Sequence, residues 1–581
     1  MTSSKTAIFK FARFSSIAAL CLWAAPAGAQ NLITNGTFDA DYAPWWPHAS
    51  STEANPADNT LAAADGKLCA TMTAGGKNPW DVIVGYSGIA LTKGQRYRVA
   101  FNVTADVERT IKFKVGLGDT PYTDYFIKTV SVGVDERLVE YSYLNLRDDA
   151  MGQFQLQIGS LPGKICVDNV VVEPVPEPTL DAYVTPSTTG KPLKNWSAMV
   201  KMGTAVDTPI FLSSPKHNQI VANEFSAITP ANSMKMNLIQ PARGTFDFTD
   251  TDALLDWATA NSLEFRGHPL IWHTQAPGWL TDGTFTEQEM IDIMYAHIDG
   301  VMTKYKGRIP YWDVVNEAIN VVDGVADYRK TFWHDRIGPK FIELAFARAR
   351  MNDPNAKLLY NDYNSEKKGD IKGDRVFELV KGLKEKGLID AVGLQGHFYI
   401  LPNGGTEGVP NYQAIRDNMA RYNDIGVQVH ITECDFRIGK PLDANKTDVQ
   451  NKFFSEMLQA CIDAPNCDHF TVWGLSDVDS WVPSTFKDYD YAHIYDASLV
   501  AKPAYQALGQ VFAKYNPDGT LVGSNPNPNP NPNPNPTPAS TDDGGCSVSP
   551  RPSSGGSWLA SALAMLGVTV LSRRLSKRAR S

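Results

Sequence analysis

Tyr311-Trp312-Asp313-Val314-Val315-Asn316-Glu317 runs from an apolar, strand-like stretch directly into an amide and a carboxylate. An apolar run of this kind suits a strand buried on both faces, and polar residues at its end suit the rim of a barrel, where such folds collect their chemistry. Further apolar runs lie at residues 200–206, 224–228, 265–272, 357–361, 391–396, 427–432 and 469–473, separated by segments of helical character. Together they make eight strand–helix units within residues 195–515 and predict a (β/α)8 TIM barrel, whose usual size covers this span. Periodicity alone leaves a doubly wound sheet open.

Outward from the barrel the pattern changes. Residues 31–174 alternate apolar and polar positions in short runs, such as 97–103, 111–115 and 165–172, with Gly and Asp turns between them, and predict a β-sandwich. Residues 175–194, with their Pro-Glu-Pro and Thr-Pro elements, read as a linker. A strict Asn-Pro repeat dominates residues 521–543; proline at alternate positions removes donors and fixes φ, so an extended spacer is expected. A chain of 581 residues also exceeds what one hydrophobic core supports.

Both ends carry targeting features. Lys5, Lys10 and Arg13, the apolar residues 17–25 and Ala27-Gly28-Ala29 predict a signal peptide over residues 1–29. Residues 544–581 begin with Gly544-Gly545-Cys546, continue through apolar residues 557–571 and end in Arg573, Arg574, Lys577, Arg578 and Arg580. This resembles the tripartite surface-sorting signals of some bacteria, so the expectation is a secreted protein, attached to the cell surface through this segment by membrane or sorting machinery, or released. The net charge of −9, without a basic run before the extreme C-terminus, argues against a nucleic-acid partner, and a monomer is expected. Of seven cysteines, Cys21 would leave with the signal; by position, Cys461 with Cys467 and Cys69 with Cys166 are disulfide candidates.

Ile431-Thr432-Glu433-Cys434-Asp435 ends a second strand, three strands after Glu317. Two carboxylates at strand ends are the parts of a glycosidase, one protonating the leaving oxygen and the other attacking the anomeric carbon. The stretches around Glu317 and Glu433 resemble the two catalytic signatures of glycoside hydrolase family 10, the xylanase barrels. Further blocks agree in order: Thr229-Pro230-Ala231-Asn232-Ser233-Met234-Lys235, Gly267-His268-Pro269-Leu270-Ile271-Trp272-His273, Tyr360-Asn361-Asp362-Tyr363-Asn364, Gly393-Leu394-Gln395-Gly396-His397, and Thr471-Val472-Trp473-Gly474 with Trp481.

The resemblance implies an endo-1,4-β-xylanase acting on xylan or a related plant cell-wall polysaccharide by retaining double displacement, with Glu317 as acid/base, Glu433 as nucleophile and no catalytic cofactor. It further implies that Asn316 bonds the sugar 2-hydroxyl, that His397 contacts the nucleophile and Asp435 orients His397, and that Trp473 and Trp481 cage the sugar. Asn232, Lys235, His268, Trp272, Gln275 and Gln395 would take hydroxyl edges, with Tyr363 and Asn364 toward the leaving group. Where the family usually has glutamate this chain has Ala231, and Met236 stands where tryptophan is common; the first change removes a charge-assisted hydrogen bond to the sugar. Cys434 is expected to pack behind its strand. His268, His273 and His397 show no short metal-ligand spacing. A related retaining β-glucanase and a non-catalytic polysaccharide-binding surface protein are the alternatives.

Asn31-Leu32-Ile33-Thr34-Asn35-Gly36-Thr37-Phe38 and Cys166-Val167-Asp168-Asn169-Val170 resemble jelly-roll carbohydrate-binding modules. Trp45, Trp46, Trp80 and Tyr86 are then candidates for sugar stacking or for the core, and Asp168 for a structural calcium.

Overall fold

The computed structural model describes residues 30–52 and 56–522. Residues 1–29 and 523–581, which hold the expected signal peptide, nearly all of the Asn-Pro spacer and the sorting-like segment, lie outside the described residues. Among the described residues no helix is long and apolar enough to cross a membrane.

The eight barrel strands are β1 (Lys201–Val206), β2 (Ala227–Pro230), β3 (Glu264–Gly267), β4 (Tyr311–Asn316), β5 (Lys357–Asp362), β6 (Ala391–Leu394), β7 (Gln428–Gly439) and β8 (Cys467–Val472). Every neighbouring pair is parallel, and β8 returns to β1, so the sheet closes. Strands such as β2 and β6 are buried at every position, as expected where helices cover the outside and side chains fill the inside. The sequence placed all eight, with shifted ends. The expected second run starts too early: Glu224 instead ends the helix Pro215–Glu224, fully buried, its carboxylate accepting from the Tyr183, Thr185 and Tyr505 hydroxyls and the Leu193 amide. The third run ceases to be strand after Gly267, leaving His268 and Trp272 on the loop over the barrel mouth.

The N-terminal region is a sandwich of two five-stranded antiparallel sheets. Its core is separate from that of the barrel and is built from inward positions such as Val99, Phe101, Phe113 and Phe154. Cys69 and Cys166 face each other across paired strands and are disulfide-bonded; Cys461 and Cys467 are bonded where the helix Ala444–Asp463 leads into β8. The segment expected as a linker lies against the barrel, with Tyr183 and Thr185 on Glu224 and the Thr188 amide donating to Gln506. Arg147 of the sandwich pairs with Asp247 and Asp250 of the barrel, and Leu146 joins the barrel core.

Candidate active site

Glu317 follows the last residue of β4 with φ of 58°. A left-handed backbone is unusual for a residue with a β-carbon and persists only where its surroundings hold it. Here the Glu317 amide donates to the Asn361 carbonyl (2.9 Å) and the Arg329 guanidinium donates to the Glu317 carbonyl (2.8 Å). Its carboxylate accepts from the side-chain amides of Asn316 (3.2 Å) and Gln395 (3.1 Å). Gln275 and Asn364, also at the mouth, adopt the same backbone region.

Glu433 projects from β7 and is 4% exposed. One carboxylate oxygen accepts from Asn361 (2.7 Å) and lies 3.9 Å from His268; the other lies 3.2 Å from His397 Nε2. Burial works against the charge on Glu433, but His268, His397 and Arg266 outweigh it and bring the carboxyl down to about 2. Burial likewise opposes charge on His397, yet Asp435, 2.9 Å from Nδ1, and Glu433 raise it to about 10. Asp435 also accepts from the Trp481 indole (2.9 Å), so one carboxylate sets both the imidazole and a cleft wall. Gly393 makes room beneath: a β-carbon there would lie 2.1 Å from the Asn361 amide oxygen.

A cavity of about 570 Å³ opens on these groups. It is lined by Glu317 and Glu433 and by all the predicted sugar-contacting residues, among them Asn232, Lys235, His268, Trp272, Gln275, Asn316, Tyr363, Gln395, His397, Trp473 and Trp481, while Asp435 supports from behind. Gln275 donates to Asn232 (3.1 Å), which donates to Asp207 (2.8 Å). Lys235 lies 4.2 Å over the Trp272 ring; burial lowers its pKa, with Glu433, Glu317 and Asp207 opposing. Ala231 also lines the cavity, whereas Met236 is buried in the core. Cys434 is fully buried, its thiol pushed up by desolvation.

Sequence reasoning missed four residues that hold this site. Asn361 was quoted only as part of a block, yet it joins Glu433 to Asn316. Asp313 Oδ2 lies 2.7 Å from His268 Nδ1 and is fully buried. Arg329 grips the Glu317 carbonyl and the Tyr363 hydroxyl (2.8 Å), and Arg266 donates to the Thr432 carbonyl (3.0 Å) beside Glu433. Polar residues inside otherwise apolar strands, Asp313 and Asn316 on β4 and Asn361 on β5, were the available signal.

On the sandwich, Trp45 and Tyr86 are core residues, 4% and 5% exposed, packed edge to face on each other. Trp80 is 51% exposed, and the half-buried Trp46 lies on Gly85, where a β-carbon would come within 2.1 Å of the indole. Beside them Gln153, Gln155 and Gln157 form a hydrogen-bonded ladder on one sheet face, which the sequence reading did not anticipate. Asp168 is engaged by the Asn169 amide (2.6 Å) and side chain (2.9 Å), and it belongs to no group of three His, Cys, Asp or Glu side chains able to hold a metal among the described residues.

A closed parallel barrel whose mouth presents two carboxylates amid tryptophans and amide donors defines a glycosidase-type cleft. A family model for glycosyl hydrolase family 10 matches residues 193–511, and one for a carbohydrate binding domain matches residues 30–160. The chain belongs to glycosyl hydrolase family 10. It is 35% identical over 300 residues to endo-1,4-beta-xylanase B of Thermotoga neapolitana, covering 51% of this chain and 83% of that protein. It is 38% identical over 313 residues to endo-1,4-beta-xylanase D of Talaromyces funiculosus, covering 54% and 74%. Among solved structures, xylanase 10B from Thermotoga maritima matches with a TM-score of 0.52 at 34% identity, over 55% of this chain and 97% of that one.

Proposed function

We propose that this protein is an endo-1,4-β-xylanase that hydrolyses xylan with retention of anomeric configuration. The observation that carries the reading is the pair of differently held carboxylates in one cleft: Glu433 kept ionised by His397, His268 and Asn361, and Glu317 cradled by neutral amides. Glu433 attacks the anomeric carbon as Glu317 passes its proton to the departing glycosidic oxygen, forming a glycosyl ester on Glu433. The ester abolishes the Glu433 charge, and Glu317, now a carboxylate, takes a proton from the water that releases the sugar. In this reading Asn316, Trp473 and Trp481, which line the cavity, hold the sugar 2-hydroxyl and wall the sugar that reacts. The reaction asks for no cofactor.

The sandwich supplies a second xylan contact through Trp46, Trp80 and the glutamine ladder, with a sugar ring on an indole and hydroxyl edges on the amides. A structural calcium ion at Asp168 belongs to the same reading, and chelator would then lower the melting temperature of the sandwich. Export of a monomer through residues 1–29, with surface attachment through residues 544–581, completes the reading.

Product analysis on xylan, carboxymethylcellulose and mixed-linkage glucan tests it, with Glu433→Gln as control. Xylo-oligosaccharides that first appear as the β-anomer support the proposal; α-anomers, or activity on glucans alone, overturn it.

A further inference from the structure

We propose that His430, Asp468 and His469, at the floor of the barrel opposite the catalytic mouth, form a binding site for one divalent transition-metal ion such as Zn²⁺. His430 and His469 are register partners near the starts of β7 and β8, and their rings stack at 4.2 Å. One ligand atom from each of the three residues lies within 4.8 Å of the others. Asp468 Oδ1 sits between the two imidazoles, 2.7 Å from His469 Nδ1 and 3.2 Å from His430 Nε2. In a tetrahedral shell with bonds of about 2.0–2.1 Å, ligand atoms stand roughly 3.3 Å apart, so a small opening of the cluster admits an ion.

A second observation points to a ligand. His430 is 1% exposed, yet its Nε2 makes no aligned hydrogen bond, although it is aimed at the Asp468 carboxylate. A buried imidazole nitrogen left in that state forgoes a stabilising partner, and a metal ion would supply one.

The surroundings fit as well. His469 Nε2 lies 2.6 Å from Glu264 Oε1, and Lys201 pairs with the other Glu264 oxygen. A carboxylate on the far nitrogen is how ligating histidines are fixed in tautomer and direction. The ion would enter between His469 Nδ1 and Asp468, leaving His469 Nε2 facing Glu264. Asp468 is 41% exposed at its side chain, which leaves an entry path and room for a water as fourth ligand. Two imidazoles with one carboxylate suit zinc, nickel or copper better than calcium or magnesium.

The test is calorimetric titration of the full-length chain with Zn²⁺, and with Co²⁺ followed by visible absorption. One ion per chain should bind. Glu264→Gln should weaken binding about 10–100-fold, as outer-shell changes do, and Asp468→Ala should weaken it further. Absence of stoichiometric binding to the wild-type chain, or unchanged affinity in Asp468→Ala, overturns the proposal. If Asp468→Ala does not fold, the Co²⁺ spectrum of the wild-type chain and the Glu264→Gln affinity decide, and a spectrum of fully hydrated Co²⁺ refutes it.

Discussion

Each end of the barrel buries a histidine between two acids. At the mouth, His397 lies between Glu433 and Asp435; at the floor, His469 lies between Glu264 and Asp468. The chemical parts are nearly the same, but their exposure to a cavity is not. Glu433 turns both oxygens toward donors at the edge of a 570 Å³ cleft that Glu317 and the tryptophans share. His469 is capped by the ring of Tyr311 at 4.7 Å and by the stacked His430. A perturbed ion cluster therefore marks a catalytic site only where a cavity admits substrate to it, and elsewhere it serves stability or ion binding.

The sharpest way to break this contrast is to neutralise one acid at each end. Glu433→Gln removes the group that would carry the glycosyl ester, and the expected loss in kcat is on the order of 10⁴-fold or more, measured on xylan at saturating substrate. Asp468→Asn at the floor should leave kcat within about 2-fold. Comparable losses from both changes would mean that the two clusters act as one.

A smaller effect separates charge from shape at the mouth. As the proposed nucleophile Glu433 must be ionised, so activity should fall as pH drops through its pKa, held near 2. His397→Asn keeps a hydrogen-bond donor but removes the positive charge, and the acid limb of kcat/KM should rise by about one to two pH units. An unmoved limb with a uniformly lower rate would reduce His397 to a spacer.

The order of these effects mirrors what was legible in the sequence. Apolar runs announce the parallel strands β4 and β7, of which β7 continues past Asp435 to Gly439, while the two glutamates took their expected roles from the resemblance of the blocks around them. Asp313, Arg266 and Arg329 were not legible, because each acts on a partner distant in sequence or through the backbone: Asp313 on His268, Arg266 on the Thr432 carbonyl, Arg329 on the Glu317 carbonyl. Trp45 and Trp46 illustrate the remaining limit. Trp45 immediately precedes the strand that Trp46 opens, and only the register against Gly85 shows that Trp46 stands on the sheet face away from the core that takes Trp45.

Ala231 offers a milder perturbation of the mouth. It lines the cleft beside Asn232 and Lys235, where a carboxylate could accept a sugar hydroxyl next to a buried cation. Ala231→Glu should lower KM for short xylo-oligosaccharides about 10-fold, corresponding to about 1.5 kcal/mol for a charged hydrogen bond, with kcat little changed. An unchanged KM would show that Lys235 and Asn232 already saturate this end of the cleft.

The smallest expected effect lies at the floor and is a matter of stability. Asp468 has its pKa lowered, despite burial, by the charges of His430 and His469 and by its hydrogen bond with His469, so its contribution is present above the unfolded value of about 3.9 and is lost as pH falls. His469 has its pKa raised against burial by Asp468 and Glu264, so its contribution is complete below the unfolded value of about 6.5 and is lost as pH rises through the folded one. His430, lowered to about 4 chiefly by burial, makes acidification below about 6.5 unfavourable with or without Asp468 and largely cancels in the comparison. Both favourable contributions therefore coexist between about pH 4 and 6.5. Asp468→Asn should lower the metal-free melting temperature by about 1–2 °C within that window and by less on either side, the effect being modest because the carboxylate is partly solvated. Scanning calorimetry across pH reads this directly. A loss of equal size at every pH would mean that Asp468 holds the floor by packing, and that the likeness between the two ends stops at residue type.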